Sequence, residues 1–83
     1  MHVKEQVREF ITENFYVDDP NVLTDDASLL EHGIVDSTGV LEVIGFIEDT
    51  FHVQVDDAEM LPDNLDSIER ISRFVVRKRR VAA

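Results

Sequence analysis

Apolar residues recur with helical spacing in three stretches of this chain, and polar or proline-containing stretches separate them. The first stretch covers residues 3–16, and its apolar positions follow the spacing of a helix with one buried face. These positions are Val3, Val7, Phe10, Ile11 and Phe15. Residues 18–21, with Pro20 among them, are typical of a helix end. The sequence therefore predicts a first amphipathic helix here.

A long connection then leads to Asp36, and a second helix is predicted from there to about Phe51. The Asp36 carboxylate can cap this helix by accepting from backbone N–H groups of the first turn. On a helical wheel, the core stripe consists of Val40, Ile44, Ile47 and Phe51, and the stripe almost opposite consists of Thr38, Glu42, Gly45 and Asp49. Leu41 and Phe46 flank these stripes, where they either complete the core edge or belong to a docking surface.

The rest of the chain predicts one short helical piece and a last helix. Residues 53–55 look extended, and residues 56–59 resemble a capped single turn that Pro62 stops. The last helix is expected to start with Asp66 as its cap and Glu69 three residues further on. Its buried stripe consists of Ile68, Ile71, Phe74 and Val75. The fold class is therefore all-α, a small bundle of three main helices and one short helix.

Length and charge limit the possible functions. At 83 residues, the chain is expected to form one domain over residues 1–83, with a small core. It has 18 Asp and Glu against 8 Lys and Arg, and four of the cations stand together at residues 77–80. This balance argues against binding nucleic acid and favours partners with basic surfaces. We expect the basic tail, residues 77–83, to complement the end of the last helix and fold back on the acidic body.

No stretch has the roughly 20 apolar residues of a membrane span, and the first residues lack the pattern of a secretory signal. We therefore expect a cytoplasmic location and no membrane binding, and we also expect the protein to be a monomer. The chain has no cysteine, which excludes disulfides, a thiol nucleophile and Cys-based zinc sites. Its acidic runs also lack the alternation of a calcium-binding loop, so no metal site is predicted.

Ser37 lies directly after Asp36, at the start of the second predicted helix. A serine nucleophile needs a base and an oxyanion hole. His32 is only five residues away, but the Gly-x-Ser-x-Gly turn that presents such a serine is absent. Modification is the better use of this hydroxyl, because free N–H groups and the positive end of the helix dipole favour a phosphate at the first turn.

Around these residues the sequence resembles the acyl and peptidyl carrier proteins, whose serine carries a 4′-phosphopantetheine arm. The resemblance covers nearly the whole chain, and the stretches that carry it are 23–30, 33–37, 40–43, 46–48 and 61–68. It implies that a phosphopantetheinyl transferase moves the arm from coenzyme A to Ser37, with magnesium. It also implies that Asp36 acts as the helix cap and in recognition by the transferase.

The resemblance further implies how such a protein works. The thiol of the arm holds an acyl or aminoacyl group as a thioester, so the chain is expected to be a free-standing carrier and not an enzyme. An acyl- or aminoacyl-loading ligase and downstream synthase or transferase enzymes are the implied partners. The face that they would contact consists of Thr38, Leu41, Glu42, Gly45, Glu48 and Asp49. Electrostatic steering to such a face raises association rates more than affinity.

Several alternatives stay open at this point. The cargo is fatty acyl, polyketide or aminoacyl, and the pattern of residues 36–42 looks more like carriers of specialised or aminoacyl pathways. Thr38 departs from the Leu that the family usually has, and His52 stands where many relatives have Gly, which would strain it if φ is positive. The competing hypothesis is an unmodified acidic helical interaction module, in which Ser37 serves only in the helix start.

Overall fold

The protein is a bundle of helices joined by one long and two short connections. The structure is a computed structural model that describes residues 3–17 and 19–82, with residues 20 and 80–82 described by their backbone alone. Its α-helices are α1 (Val3–Asn14), α2 (Ser37–Phe51), α3 (Pro62–Leu65) and α4 (Ile68–Ala82). Single 3₁₀ turns cover Pro20–Val22 and Asp57–Glu59, and the described residues contain no strand. The predicted all-α fold with three main helices and one short helix is confirmed.

The core lies between α1, α2 and α4. Its most deeply buried large side chains are Val7, Ile11, Leu29, Val43, Ile47, Ile68, Ile71, Phe74 and Val75. Burial of one such side chain stabilises the fold by about 1.5–3 kcal/mol. On α2, the predicted core positions Ile44, Ile47 and Phe51 are buried, whereas Val40 is half-buried. The predicted stripe therefore located the inward face of α2, but it included the partly exposed Val40 and missed Val43, which is 2% exposed.

The two flanking residues of α2 have different environments. Phe46 is half-buried and stacks on Phe10 of α1, with ring centroids 4.2 Å apart. It also meets Phe51 edge to face at 5.6 Å. Leu41, in contrast, is 63% exposed. Phe46 thus completes the core edge, and Leu41 belongs to the surface.

The long connection between α1 and α2 is fastened to the body by apolar and polar contacts. Leu23, Leu29 and Val35 are buried and anchor it in the core. Backbone hydrogen bonds then join it to the beginning of α4: Leu29 N–H donates to the Asp66 carbonyl, and Glu69 N–H donates to the Asp25 carbonyl. These anchors deliver the chain to the start of α2 in a fixed direction.

Two expectations about the region before α4 are wrong. Pro62 does not stop a helix but is the first residue of α3. Proline suits this position because an N–H there would have no partner inside the helix, and because its fixed φ is already that of a helix. Asp66 does not cap α4. Its carboxylate accepts from Ser28 Oγ at 2.6 Å and from Leu30 N–H at 3.0 Å, and Ser67 Oγ accepts instead from Arg70 N–H at 3.0 Å.

The end of α4 contains most of the predicted basic tail. The helix continues to Ala82, so residues 77–82 are helical, and Ala83 lies outside the described residues, as do Met1, His2 and Asp18 of the predicted domain. Lys78 contacts the acidic body through Glu59, at 2.8 Å. The expected fold-back is thus seen for Lys78.

A network of ion pairs joins α1, the long connection and α4. Lys4 lies against Glu69 and Asp25, and Arg8 contacts Asp25 and the Leu23 carbonyl. The hydrogen bond from Arg8 lowers the pKa of Asp25, and the hydrogen bond from Lys4 lowers the pKa of Glu69. Both carboxylates are therefore more stable in their charged form in the folded protein than in the unfolded chain.

Glu69→Gln should therefore lower the free energy of unfolding at pH 7, and the difference from the parent protein should vanish in acid. A group with a depressed pKa contributes stability above its unfolded pKa and loses it as pH falls through the folded value. The difference should accordingly shrink below about pH 4, where an unfolded Glu takes up its proton. Urea unfolding of both proteins at pH 7, 5 and 3 measures it. An equal difference at pH 7 and pH 3 would contradict this account.

Candidate attachment site at Ser37

Ser37 is the first residue of α2, and its side chain is exposed. The preceding Asp36 has extended backbone angles and lies at the N-cap, where Oδ1 accepts from Gly39 N–H at 2.6 Å. The Ser37 hydroxyl is therefore not needed for the cap, and it has no hydrogen-bond partner within the described part of the chain. It is free for chemistry with another molecule.

The turn before the site sets the position of Ser37. Gly33 takes a φ of 68°, in the left-handed region that glycine enters without strain. The N–H groups of Ile34 and Val35 then both donate to the Leu29 carbonyl, at 3.0 and 3.2 Å. Val35 is 3% exposed and anchors this turn in the core. The next two residues are thereby left on the surface, with Asp36 in position to cap α2.

Gly39 has a packing role that the spacing of apolar residues did not predict. It is buried, and a Cβ atom there would lie 2.7 Å from Phe15 Cε1 and 3.2 Å from Val35 Cγ1. The missing side chain lets the Phe15 ring pack against the first turn of α2. At Gly45, further along α2, an added Cβ atom would have no neighbouring atom within 4 Å.

The same substitution at these two glycines should have opposite effects. Gly45→Ala should stabilise the protein by about 0.5–1 kcal/mol, because alanine favours the helix and meets no neighbour. Gly39→Ala should destabilise it by about 1 kcal/mol, because overpacking costs about 1–3 kcal/mol and outweighs the helix gain. Urea unfolding measures both. Stabilisation of equal size at the two positions would show that Phe15 moves aside freely.

An apolar cavity opens beside Ser37. Its volume is about 170 Å³, and it lies between the start of α2, the long connection and α3. Its lining consists of Ser37, Leu29, Leu30, Val35, Val40, Met60, Leu61, Pro62, Leu65 and Asp66. Apart from Ser37 and Asp66, whose carboxylate already accepts two hydrogen bonds, the lining side chains are apolar. A group attached to Ser37 would have an apolar recess next to its point of attachment.

The predicted partner-binding residues all lie on α2, and four of them are exposed. These are Thr38, Leu41, Glu42 and Asp49. Gly45 is half-buried between them. Glu48 is also half-buried, and its carboxylate accepts from Val55 N–H at 3.0 Å. Glu48 thus holds the segment after α2, a role that only the folded structure reveals, and the contact of all six with partners stays a prediction.

The end of α2 departs from ideal helix geometry at one residue. His52 has a φ of 57°, and its N–H donates to the Glu48 carbonyl at 3.1 Å. The helix therefore ends with a left-handed residue, a common arrangement in which glycine is the usual choice. The positive φ considered for His52 from the sequence is the one that the structure has.

The described residues contain no group of three or more His, Asp or Glu side chains arranged to hold a metal ion. None of the helices described is both long and apolar enough to cross a membrane.

Comparison with known families decides what kind of site this is. A family model described as "Phosphopantetheine attachment site" matches residues 5–75, which cover most of α1, all of α2 and α3, and the first half of α4. The chain belongs to this phosphopantetheine-attachment family. The predicted relation to acyl and peptidyl carrier proteins is thereby confirmed. No curated protein matches the chain significantly.

Members of the phosphopantetheine-attachment family carry a 4′-phosphopantetheine group, and domains of this kind are generally non-catalytic. The residues at the start of α2 suit such a group. The Ser37 hydroxyl is exposed, and the first N–H groups of α2 and the positive end of its dipole lie where a phosphodiester on that hydroxyl would be. The cavity offers apolar surface close by.

Proposed function

We propose that the protein is an acyl or aminoacyl carrier that holds its cargo as a thioester on 4′-phosphopantetheine attached to Ser37, and that it acts in the cytoplasm as a monomer without enzymatic activity. The observation that carries the proposal is the exposed Ser37 hydroxyl, which has no hydrogen-bond partner among the described residues and lies at the start of a capped helix in a phosphopantetheine-attachment domain. When bound, the group supplies a thiol on a long arm, which this cysteine-free chain lacks.

The first turn of α2 would stabilise the attached phosphodiester electrostatically. Each helix start has N–H groups without partners inside the helix, and the helix dipole adds partial positive charge there. The Asp36 carboxylate accepts from one of these N–H groups, that of Gly39. This hydrogen bond keeps the carboxylate on the helix side of the turn. The N–H groups of Ser37 and Thr38 then remain for the phosphate. Recognition of Asp36 by the transferase is part of the same proposal.

The cavity beside Ser37 supports cargo with an apolar part. An engineered apolar cavity of about 150 Å³ in another protein binds benzene, so a recess of similar size holds a group of about six carbons. The cavity here has a volume of about 170 Å³ and is lined mainly by leucine, valine, proline and methionine. A short acyl chain or an apolar amino acid side chain would therefore fit better than a long fatty acyl chain.

The outer face of α2 would bind the partner enzymes. Its exposed residues Leu41, Glu42 and Asp49 combine an apolar side chain with two carboxylates. Basic patches on a transferase, a loading ligase or a downstream synthase complement these charges. Charged rims mainly affect how fast partners meet, which suits a carrier that must leave each enzyme promptly.

Glu42→Gln with Asp49→Asn should lower kcat/KM for modification of the protein by a phosphopantetheinyl transferase about tenfold at low salt, with a smaller loss at high salt. Glu5→Gln with Glu9→Gln, which removes two charges from α1, is the matched control and should lose much less. Initial rates at several salt concentrations give the comparison. Equal losses in the two double variants would show that net charge, and not this face, sets the rate.

A thiol titration tests the proposed function directly, because the chain itself contributes no thiol. The purified protein is incubated with coenzyme A, magnesium and a broad-specificity transferase, and small molecules are removed. The proposal predicts one thiol per chain, which an acylating reagent converts to a thioester. A protein that stays folded and gains no thiol would instead support the unmodified acidic interaction module.

A further inference from the structure

One wall of the Ser37 cavity is held to the body by few apolar anchors. This wall segment, residues 59–65, contributes Met60, Leu61, Pro62 and Leu65 to the cavity. Leu65 is buried, but Met60 is only half-buried and Leu61 is 50% exposed. Segments with little buried apolar surface open more easily than the core does. Polar contacts therefore have a large share in keeping this wall in place.

Those polar contacts come from the basic residues of α4. Lys78 Nζ donates to Glu59 Oε1 at 2.8 Å, and only 20% and 27% of these two side chains are exposed. Arg77 donates to Asn64 Oδ1 at 3.1 Å, and Arg70 donates to the Pro62 carbonyl at 3.3 Å. Three cations of one helix thus reach the beginning, middle and end of the wall segment.

The contacts are joined to one another within the wall segment. Glu59 Oε1 accepts from Asp56 N–H at 3.0 Å as well as from Lys78, so one carboxylate closes the 3₁₀ turn and binds α4. The Asn64 side chain donates to the Glu59 carbonyl at 2.9 Å while it accepts from Arg77. Hydrogen bonds to charged groups are roughly twice as strong as neutral ones. Loss of the cations should therefore loosen the segment as a unit.

We propose that Lys78 and Arg77 are positioning residues that fasten the wall segment and thereby control how readily a group carried on Ser37 enters the cavity. The basic end of α4 then has a role beyond complementing the helix dipole. Control of cargo entry rests on the proposed function, whereas fastening of the wall does not. The two parts can be tested separately.

Hydrogen exchange of the unmodified protein tests the fastening. The amides of Asn64, Leu65 and Asp66 donate within this region and report its opening. In the Arg77→Gln, Lys78→Gln double variant they should exchange about tenfold faster, which corresponds to about 1.4 kcal/mol. Amides in the middle of α1 and α2 should exchange at the parent rate, which also shows that the variant is folded.

Arg79→Gln is the matched control for the single variants Arg77→Gln and Lys78→Gln, since it also removes one positive charge, from the next position of α4. Arg79 is exposed, and none of the contacts among the described residues joins it to the wall segment. In the Arg79→Gln variant, the amides of residues 64–66 should exchange at the same rate as in the parent protein. Glu59→Gln removes the charge of the other partner in the Lys78–Glu59 contact, so it should accelerate amide exchange in residues 64–66 as Lys78→Gln does. Parent-like exchange in the double variant, or equal acceleration by Arg79→Gln, would overturn the fastening.

Cargo entry is tested on the loaded protein with a hexanoyl and an acetyl thioester. Hydroxylamine releases either group as its hydroxamate and leaves the thiol on the arm. The hexanoyl group should be released several-fold more slowly than the acetyl group in the parent protein, and this ratio should shift at least threefold in the double variant. An unchanged ratio would refute control of entry. If no arm can be loaded, the proposed function fails, and the exchange measurement still decides the fastening.

Discussion

Ser37→Ala is expected to abolish loading with phosphopantetheine completely while leaving the fold intact. The substitution removes the only oxygen to which the arm would be attached. It should change the free energy of unfolding by less than about 0.5 kcal/mol, because the side chain is exposed and the α2 cap is made by Asp36. Labelling with a fluorescent coenzyme A analogue and urea unfolding measure the two quantities.

Thr38→Ser is the matched control for this result. It places a serine hydroxyl one residue further along α2, so it tests whether the transferase uses position 37 or any serine near the helix start. The parent protein and Thr38→Ser should be labelled once per chain, and Ser37→Ala with Thr38→Ser should stay unlabelled. Labelling of this double variant would show that Ser37 is not specifically recognised, and labelling of Ser37→Ala alone would place the arm elsewhere.

Phe74→Ala should have the largest effect on stability. The Phe74 side chain is 1% exposed in the centre of α4, and truncation of a buried Phe costs about 3–5 kcal/mol. An 83-residue domain has a total stability of about 4–12 kcal/mol, so the variant should lose about a quarter or more of it. Thermal unfolding should show a melting temperature more than about 10 °C lower.

Val76→Ala is the control on the same helix, because Val76 is 43% exposed. It should change the free energy of unfolding by less than about 0.5 kcal/mol, as surface substitutions usually do. Phe74→Ala should also slow loading of Ser37, in proportion to the fraction of the protein that is unfolded, although the two residues lie on different helices. A Phe74→Ala protein with nearly parental stability would mean that α4 is not the centre of the core.

The start of α2 follows from local sequence, which is why it could be predicted. The Asp36 carboxylate bonds an N–H group three residues away, and the helix from Ser37 to Phe51 has the spacing of the core stripe. Contacts between residues only a few positions apart depend on the local sequence. The exposed position of Ser37, the proposed attachment residue, lies in the same short stretch.

Features that depend on distant parts of the chain could not be predicted in this way. Asp66 looked like a helix cap, but the folded protein brings Ser28 and Leu30 to its carboxylate, and Ser67 caps α4 instead. Gly39 makes room for Phe15, which lies on another part of the chain. Spacing along one helix shows which face is buried but does not show which distant residue meets it.

The acidic face and the basic end of α4 illustrate the same limit for charged residues. Glu48 lies in the acidic pattern of α2, yet its carboxylate holds the Val55 backbone. The cations at residues 77–80 were expected to fold back on the acidic body, but their pattern did not show that Lys78 meets Glu59 at the wall of the cavity. Charge patterns predict which partners a surface favours. They do not reveal which charges are used inside the fold.

The most direct test of the central claim is the intact mass of the protein before and after incubation with coenzyme A, magnesium and a broad-specificity phosphopantetheinyl transferase. The account predicts a gain of one phosphopantetheinyl group per chain, located on Ser37 by peptide mapping. A folded protein whose mass does not change, or whose added group lies on another residue, would contradict it.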